Sequence, residues 1–291
     1  MGLSRTGLFA LATSDRFERA VRSVPGGENA AWRAASRYVA GRSAGDALAV
    51  TERLLAQGHG VSIDLFGERV HDPGVADRVV SEYAALAAAL PSPPADVWLS
   101  VDLSHLALMA DPAAAVTRLA RIAEMLPAGR RIQIGAEQAG ETDTILRCVR
   151  EVAERGLAGR IGATLQANLL RSTADLEALV DAGVHVRLVK GAYVERAGAL
   201  PYGEPTDIAF LELGLGLAKR GVPWSAATHD GRLREALLHA DPSLTIEHLL
   251  GVRRDVLDRL VDRGVSTRVY VPYGADWFRY WMRRVAESRG A

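Results

Sequence analysis

One cysteine, Cys148, is the only thiol in the 291 residues. A disulfide framework and a cysteine-based zinc site are therefore excluded. It falls in Leu146-Arg147-Cys148-Val149, a helical pattern that assigns it to a core. An excess of one charge is missing too. Lys and Arg total 35 and so do Asp and Glu, so nothing marks a surface for nucleic acid or an anionic membrane. The apolar piece Leu8-Phe9-Ala10-Leu11-Ala12 is far too short to span a bilayer. With only Arg5 before it, it makes a poor signal peptide and is expected to belong to a helical lead-in. The expected location is cytoplasmic, peripheral to the inner membrane face at most. Repeats and low-complexity linkers are lacking, and Pro91-Ser92-Pro93-Pro94 reads as a loop.

Motifs are missing as well. Gly214-Leu215-Gly216 has no third glycine at dinucleotide-binding spacing and sits in a helical pattern. No Gly-x-Ser-x-Gly elbow and no cysteine at a strand end supply an acyl-transfer nucleophile. His229-Asp230 has no second His at ligand spacing, so no metal site is expected.

What is present is an alternation. Short apolar β-type runs fall at 61–65, 97–103, 131–136, 161–166, 184–189, 224–228, 244–247 and 267–271. Helical patterns separate them, at 77–90, 113–126, 142–155, 174–182, 207–220, 231–240 and 253–263. Gly183, Gly221 and Gly264 stand where helix C-caps belong, and Ser172 with Asp175 reads as a capping pair. Eight alternations predict an α/β fold of the distorted (βα)8 TIM-like barrel type. A doubly wound sheet is the alternative. The expected layout is an N-terminal helical segment, 1–57, and a barrel, 58–291, closed by a C-terminal helix over its mouth.

One stretch organises the rest, Val186-Arg187-Leu188-Val189-Lys190-Gly191-Ala192-Tyr193. A buried strand does not carry unpaired Arg and Lys at low cost. An Arg inside the run and a Lys-Gly at its end read as an anion or cofactor site; the alternative is a strand whose charges reach solvent. In a barrel the strand C-termini build the active site. Those ends carry Asp64, Asp102, Gly135 with Glu137, Gln166, Lys190, Thr228 with His229, Glu247 with His248, and Tyr270. So many polar ends point to a cleft for a polar ligand. A last helical pattern, 276–288, has aromatics at 277, 280 and 281, then Arg283 and Arg284. Paired guanidinium groups suit a carboxylate; a solvated basic helix end is the other reading.

These residues resemble a known family. The 187–193 stretch, Ala227-Thr228-His229, Arg268-Val269-Tyr270-Val271-Pro272-Tyr273-Gly274 and the Arg283-Arg284 helix, in this order, are similar to proline dehydrogenase. Tyr38-Val39-Ala40-Gly41 and Leu65-Phe66-Gly67-Glu68 resemble its N-terminal segments. The resemblance implies FAD held non-covalently at the strand C-termini. It implies oxidation of L-proline to 1-pyrroline-5-carboxylate by hydride transfer to flavin N5, with a quinone-type acceptor. It makes Arg187 and Tyr270 catalytic, Arg187 near N5. Cofactor-binding roles fall to Ala136, Gln166, Arg187, Lys190, Gly191, Ala192, Tyr193, Thr228, His229 and Glu287. The substrate would meet Arg283, Arg284, Tyr193, Leu249, Asp102, Gly135 and Glu68, with Glu68 orienting an Arg.

This chain departs from the family pattern at two places. Asp102 stands where the family carries Lys, and Gly135 where it carries an active-site Asp. The Thr245-Ile246-Glu247 strand also lacks the usual Gln. An inward Asp102 would pair with Arg283 or Arg284, weakening carboxylate binding, or with a substrate amine. The changes touch substrate recognition more than flavin binding. Two alternatives stay open: oxidation of a different cyclic or secondary amine, and a non-catalytic barrel that binds a flavin or an amino acid.

Overall fold

The computed structural model describes residues 14–288 apart from 192, 194 and 196, and it describes the side chains of these except at 15 and 286–288. The lead-in piece at 8–12 lies outside the described residues. Eight strands close into one parallel barrel in chain order. They are β1 (Gly60–Leu65), β2 (Val97–Val101), β3 (Ile132–Ile134), β4 (Ile161–Gln166), β5 (His185–Val189), β6 (Trp224–Ala227), β7 (Thr245–Leu249) and β8 (Thr267–Tyr273). The α/β barrel expected from the alternation is the fold observed, and the doubly wound sheet is set aside.

Eleven α-helices accompany them among the described residues. Three come first: α1 (Asp15–Ser23), α2 (Gly27–Ala35) and α3 (Ala44–Ala56). Then follow α4 (Pro73–Ala88), α5 (Pro112–Met125), α6 (Thr142–Val152), α7 (Ser172–Asp181), α8 (Glu204–Arg220), α9 (Gly231–Ala240) and α10 (Arg254–Asp262). The last, α11 (Trp277–Ser288), follows the barrel. Their starts are written locally. Asp72 and Asp111 each accept from a backbone N–H of the first turn and precede a proline at the first helical position. Ser43 and Asp46 form a reciprocal capping box on α3. Gly183, Gly221 and Gly264 all take positive φ at helix ends, as expected.

The capping pair expected at Ser172 and Asp175 does not form. Arg171 holds the N-cap position of α7 without a side-chain cap. The Ser172 hydroxyl donates to the Gln166 carbonyl, and Asp175 takes a bidentate bond from Arg171. A charged partner four residues away wins over the backbone amide.

Two cores result. The larger lies between the strands' outer faces and the helix ring, and Ala47, Val50 and Leu54 of α3 belong to it. The smaller joins Ala31, Ala35 and Val39 to Trp277, Phe278, Tyr280 and Met282. It docks α1 and α2 against α11 and so holds α11 at the barrel end.

The strands alternate with apolar residues outward. The inward set is polar: Ser62, Ser100, Gln133, His185, Arg187, Ser225, Glu247 and Arg268 are all buried. A barrel interior is more often filled with branched aliphatics. Here hydrogen bonds replace them. Arg187 of β5 reaches across to the Ser62 hydroxyl of β1 at 3.1 Å. Lower down, the Arg268 guanidinium lies 3.4 Å from the Trp98 ring centroid and donates to the Val61 carbonyl and the Asp96 carboxylate. Burying these groups is tolerable only because partners are supplied.

Candidate active site

Arg187 is the centre of the site. The residue is 6 % exposed and its guanidinium ion-pairs with Glu247 at 2.8 Å. The other Glu247 oxygen accepts from the Ser225 hydroxyl, which also meets His185 at 3.0 Å. The sequence treated Glu247 and Tyr270 as strand ends. Instead β7 continues to Leu249 and β8 to Tyr273, because β7 and β8 stay in register through Leu249 and Tyr270, and β8 pairs with β1 through Tyr273. Glu247 is therefore a buried counter-ion inside the barrel.

Three carboxyl groups gather above the first three strands. Asp64, the next-to-last residue of β1, accepts from the Tyr270 hydroxyl at 2.5 Å. Asp102 follows β2. Glu137 follows β3 and accepts from the Ser104 amide at 2.9 Å. Burial pushes the Asp64 carboxyl up to about 7, although Tyr270, Arg187 and Arg283 pull it down. Burial, then the Asp64 charge, push Asp102 to about 8. Burial, then Asp102, push Glu137 to about 8. Mutually shifted acids in a cleft are the electrostatic mark of a functional site.

The helix α11 supplies cations from above. Arg283 lies among Tyr193, Glu68, Asp102 and Tyr270. Glu68 holds Arg279 at 2.9 Å and Arg283 at 3.5 Å. Arg284 instead stacks on the Tyr280 ring at 4.9 Å and faces His229. The two arginines thus serve different walls of the mouth.

Beyond β4, β5 and β6 the groups differ. Gln166 donates to the Glu137 carbonyl at 2.9 Å. Lys190 is held by Asp207 at 2.5 Å and Asp230 at 3.3 Å, so its charge is spent within the protein. Gly191 has φ +119°, and a Cβ there would overlap the Asn168 carboxamide. Thr228 is buried and accepts from the Asp230 amide. The His229 and His248 rings meet edge-on at 4.3 Å. Burial, then His248, hold His229 down at about 3, so it is neutral. Ala136 and Leu249 are half-buried nearby. Ala192 and the side chain of Glu287 lie outside the described residues. Sequence reasoning missed three participants: Asp64 as the Tyr270 partner, Glu247 as the Arg187 counter-ion, and Asn168 against Gly191. The period-two alternation of β1 and β7 was the available signal for the first two.

A closed parallel barrel with a polar axis and shifted acids at its strand ends is the build of a barrel enzyme. Comparison with known proteins gives the family. A family model described as proline dehydrogenase matches residues 47–199. Proline dehydrogenase of Deinococcus radiodurans is 31% identical over 269 residues, 88% of this chain and 87% of that protein. Proline dehydrogenase 1 of Bacillus subtilis strain 168 is 30% identical over 262 residues, 87% of this chain and 86% of its own length. Among solved structures, proline utilization A from Bdellovibrio bacteriovorus superposes with a TM-score of 0.81 at 19% identity, covering 98% of this chain and 36% of that one. The Bradyrhizobium japonicum protein gives 0.73 at 22% identity, over 94% and 32%. This chain spans about a third of those longer chains, and they speak for the fold. The chain belongs to the proline dehydrogenase family.

Proposed function

We propose that this chain is a flavoenzyme that oxidises L-proline to 1-pyrroline-5-carboxylate, with FAD as hydride acceptor at N5 and a quinone-type compound taking the electrons onward. The family match over residues 47–199, which takes in β1–β5 with Arg187, carries this reading.

The ends of β4–β6 fit a flavin. Three polar atoms there are buried without a hydrogen-bond partner among the described residues: Asn168 Oδ1, Arg187 Nε and His229 Nδ1. Unmet donors and acceptors at one wall suit a planar, polar heterocycle. Gly191 keeps the backbone low enough for such a ligand to approach. Flavin, when bound, supplies a two-electron acceptor that no side chain provides. Arg187 places a fixed positive charge at that wall, moderated by Glu247, where negative charge develops on reduction. Gln166, Lys190, Gly191, Ala192, Tyr193, Thr228, His229 and Glu287 are assigned to cofactor contact with it. Arg283, oriented by Glu68, takes the substrate carboxylate from above, joined by Arg284. Tyr193, Tyr270 and Leu249 enclose the ring and exclude water.

Asp102 against Gly135 supports a second reading, a cyclic or secondary amine other than proline. Both readings are tested together. The purified protein is scanned for flavin absorbance, its released cofactor identified by mass, and a panel of amines added anaerobically. A protein that stays colourless with added FAD sinks both readings. Bleaching by another amine and not by proline selects the second. No described helix is long and apolar enough to cross a membrane, and a quinone acceptor would be met at the membrane face.

A further inference from the structure

Asp102 occupies the N-cap position of the turn at Leu103–Leu106, yet its side chain makes no cap hydrogen bond. No other hydrogen bond or ion pair to its carboxylate occurs among the described residues. The carboxylate lies instead over the Cα of Gly135, and a Cβ at 135 would overlap Asp102 Oδ1. Gly135 is thus the space that lets Asp102 stand at the strand ends, half-buried.

The groups facing Asp102 come from every neighbouring element. They are Asp64 of β1, Glu68 after it, Tyr83 of α4, Glu137 and Glu141 after β3, Tyr193 after β5, Tyr270 of β8 and Arg283 of α11. Acids and phenols dominate this set. Arg283 is its cation, and Glu68 already claims a share of it at 3.5 Å. An unpartnered carboxyl in such company keeps a proton until a cation from outside takes that proton's place. An amino acid anchored by its carboxylate at Arg283 would present its ammonium to the strand-end side.

An ammonium has no lone pair to release when its C–N bond is oxidised, so the substrate must lose a proton first. We propose that Asp102 is a catalytic residue that binds the substrate ammonium and takes its proton, with Gly135 as the positioning residue that admits it. As the ammonium docks, the Asp102 carboxyl gives its own proton to solvent; the N–H bond then breaks, the Asp102 O–H bond forms again, and the electron pair stays on nitrogen as the lone pair. This rests on the reading above that the chain oxidises an amino acid at a flavin. Burial and Asp64 hold the Asp102 carboxyl up at about 8, which suits a group that keeps a proton near neutrality. Free enzyme and ammonium then carry two protons between them at pH 6.5, and the complex carries one.

The test uses chemically reduced, anaerobic flavoenzyme, which binds L-proline without oxidising it. Proline binding at pH 6.5 is followed by calorimetry in buffers of different ionisation enthalpy. The oxygen isostere of proline, tetrahydrofuran-2-carboxylate, serves as the ligand without an amine. The wild type is expected to release about one proton per proline. Asp102→Asn is expected to abolish that release and weaken proline by about 10- to 100-fold, while changing the isostere less than about threefold. The acidic limb of kcat/KM should vanish with it. Gly135→Ala should reproduce the loss, and it should be silent when added to Asp102→Ala, where no carboxylate is displaced. Unchanged proton release in Asp102→Asn, or equal weakening of both ligands, would overturn the proposal. Bleaching of the oxidised wild type by proline is scored separately, so failure of the proposed function is distinguishable.

Discussion

Replacing Glu247 by alanine would leave the Arg187 guanidinium buried without its counter-ion. The pair is 2.8 Å apart, with side chains 7% and 2% exposed, so solvent can neither screen it nor take over. Removing one partner of such a pair costs about 3–5 kcal/mol, because the remaining charge is stranded. The Ser225 hydroxyl loses its acceptor at the same time, a penalty of about 1 kcal/mol. With an unfolding entropy of about 2.1 cal/mol/K per residue over 291 residues, 3–5 kcal/mol lowers Tm by roughly 5–8 °C. Urea unfolding followed by circular dichroism measures the loss. Replacing both partners, Arg187→Met with Glu247→Leu, should recover most of it, since two matched apolar groups strand no charge. A Glu247→Ala protein within about 1 kcal/mol of wild type would refute the claim that the barrel axis is held by this pair.

Other outcomes follow from the same structure. Asp64, Asp102 and Glu137 have raised folded-state values of about 7, 8 and 8. Below about pH 4 their stabilisation is complete, and it is lost as pH rises through 7–8. Unfolding free energy should therefore fall across that window by up to about 1.4 kcal/mol per pH unit for each retained proton. Denaturation at pH 5.5 and 8.5 checks the sign, and Asp102→Asn should flatten the fall. Gly191→Ala forces a strained φ and a clash with Asn168. It should cost about 1–3 kcal/mol and weaken flavin retention, read by cofactor release on a desalting column. Glu68→Ala removes the carboxylate from a partly exposed pair with Arg279 and Arg283. Stability should move by less than about 1 kcal/mol, while KM for proline rises several-fold in steady-state kinetics.

The architecture was legible because the strands carry a period-two pattern and the helices carry local start and stop signals. Strand β4 and helix α9 fall at the residues read from sequence. Strand ends were harder where polar residues sit inside the barrel. Glu247 and Tyr270 read as termini because a charge or phenol usually marks one. Here partners on other strands, Arg187 and Asp64, hold them within the strands. Those partners lie 60 and 206 positions away in the chain, a separation that no local pattern spans. Residues 187–193 were legible as a charged strand end, yet not which charges were already paired. Lys190 is neutralised by Asp207 and Asp230, whose helices the sequence placed without showing which way they lean. The space at Gly135 is likewise a tertiary fact: only the packed barrel sets it under Asp102.

Anaerobic reduction decides whether the mouth of this barrel oxidises an amino acid at a bound flavin. The purified protein is loaded with FAD, made anaerobic and mixed with L-proline while absorbance near the flavin maximum is recorded. A saturable loss of that absorbance is expected, with 1-pyrroline-5-carboxylate formed in equal amount. A bound flavin that keeps its oxidised spectrum at saturating proline and with every other amine in the panel would contradict it.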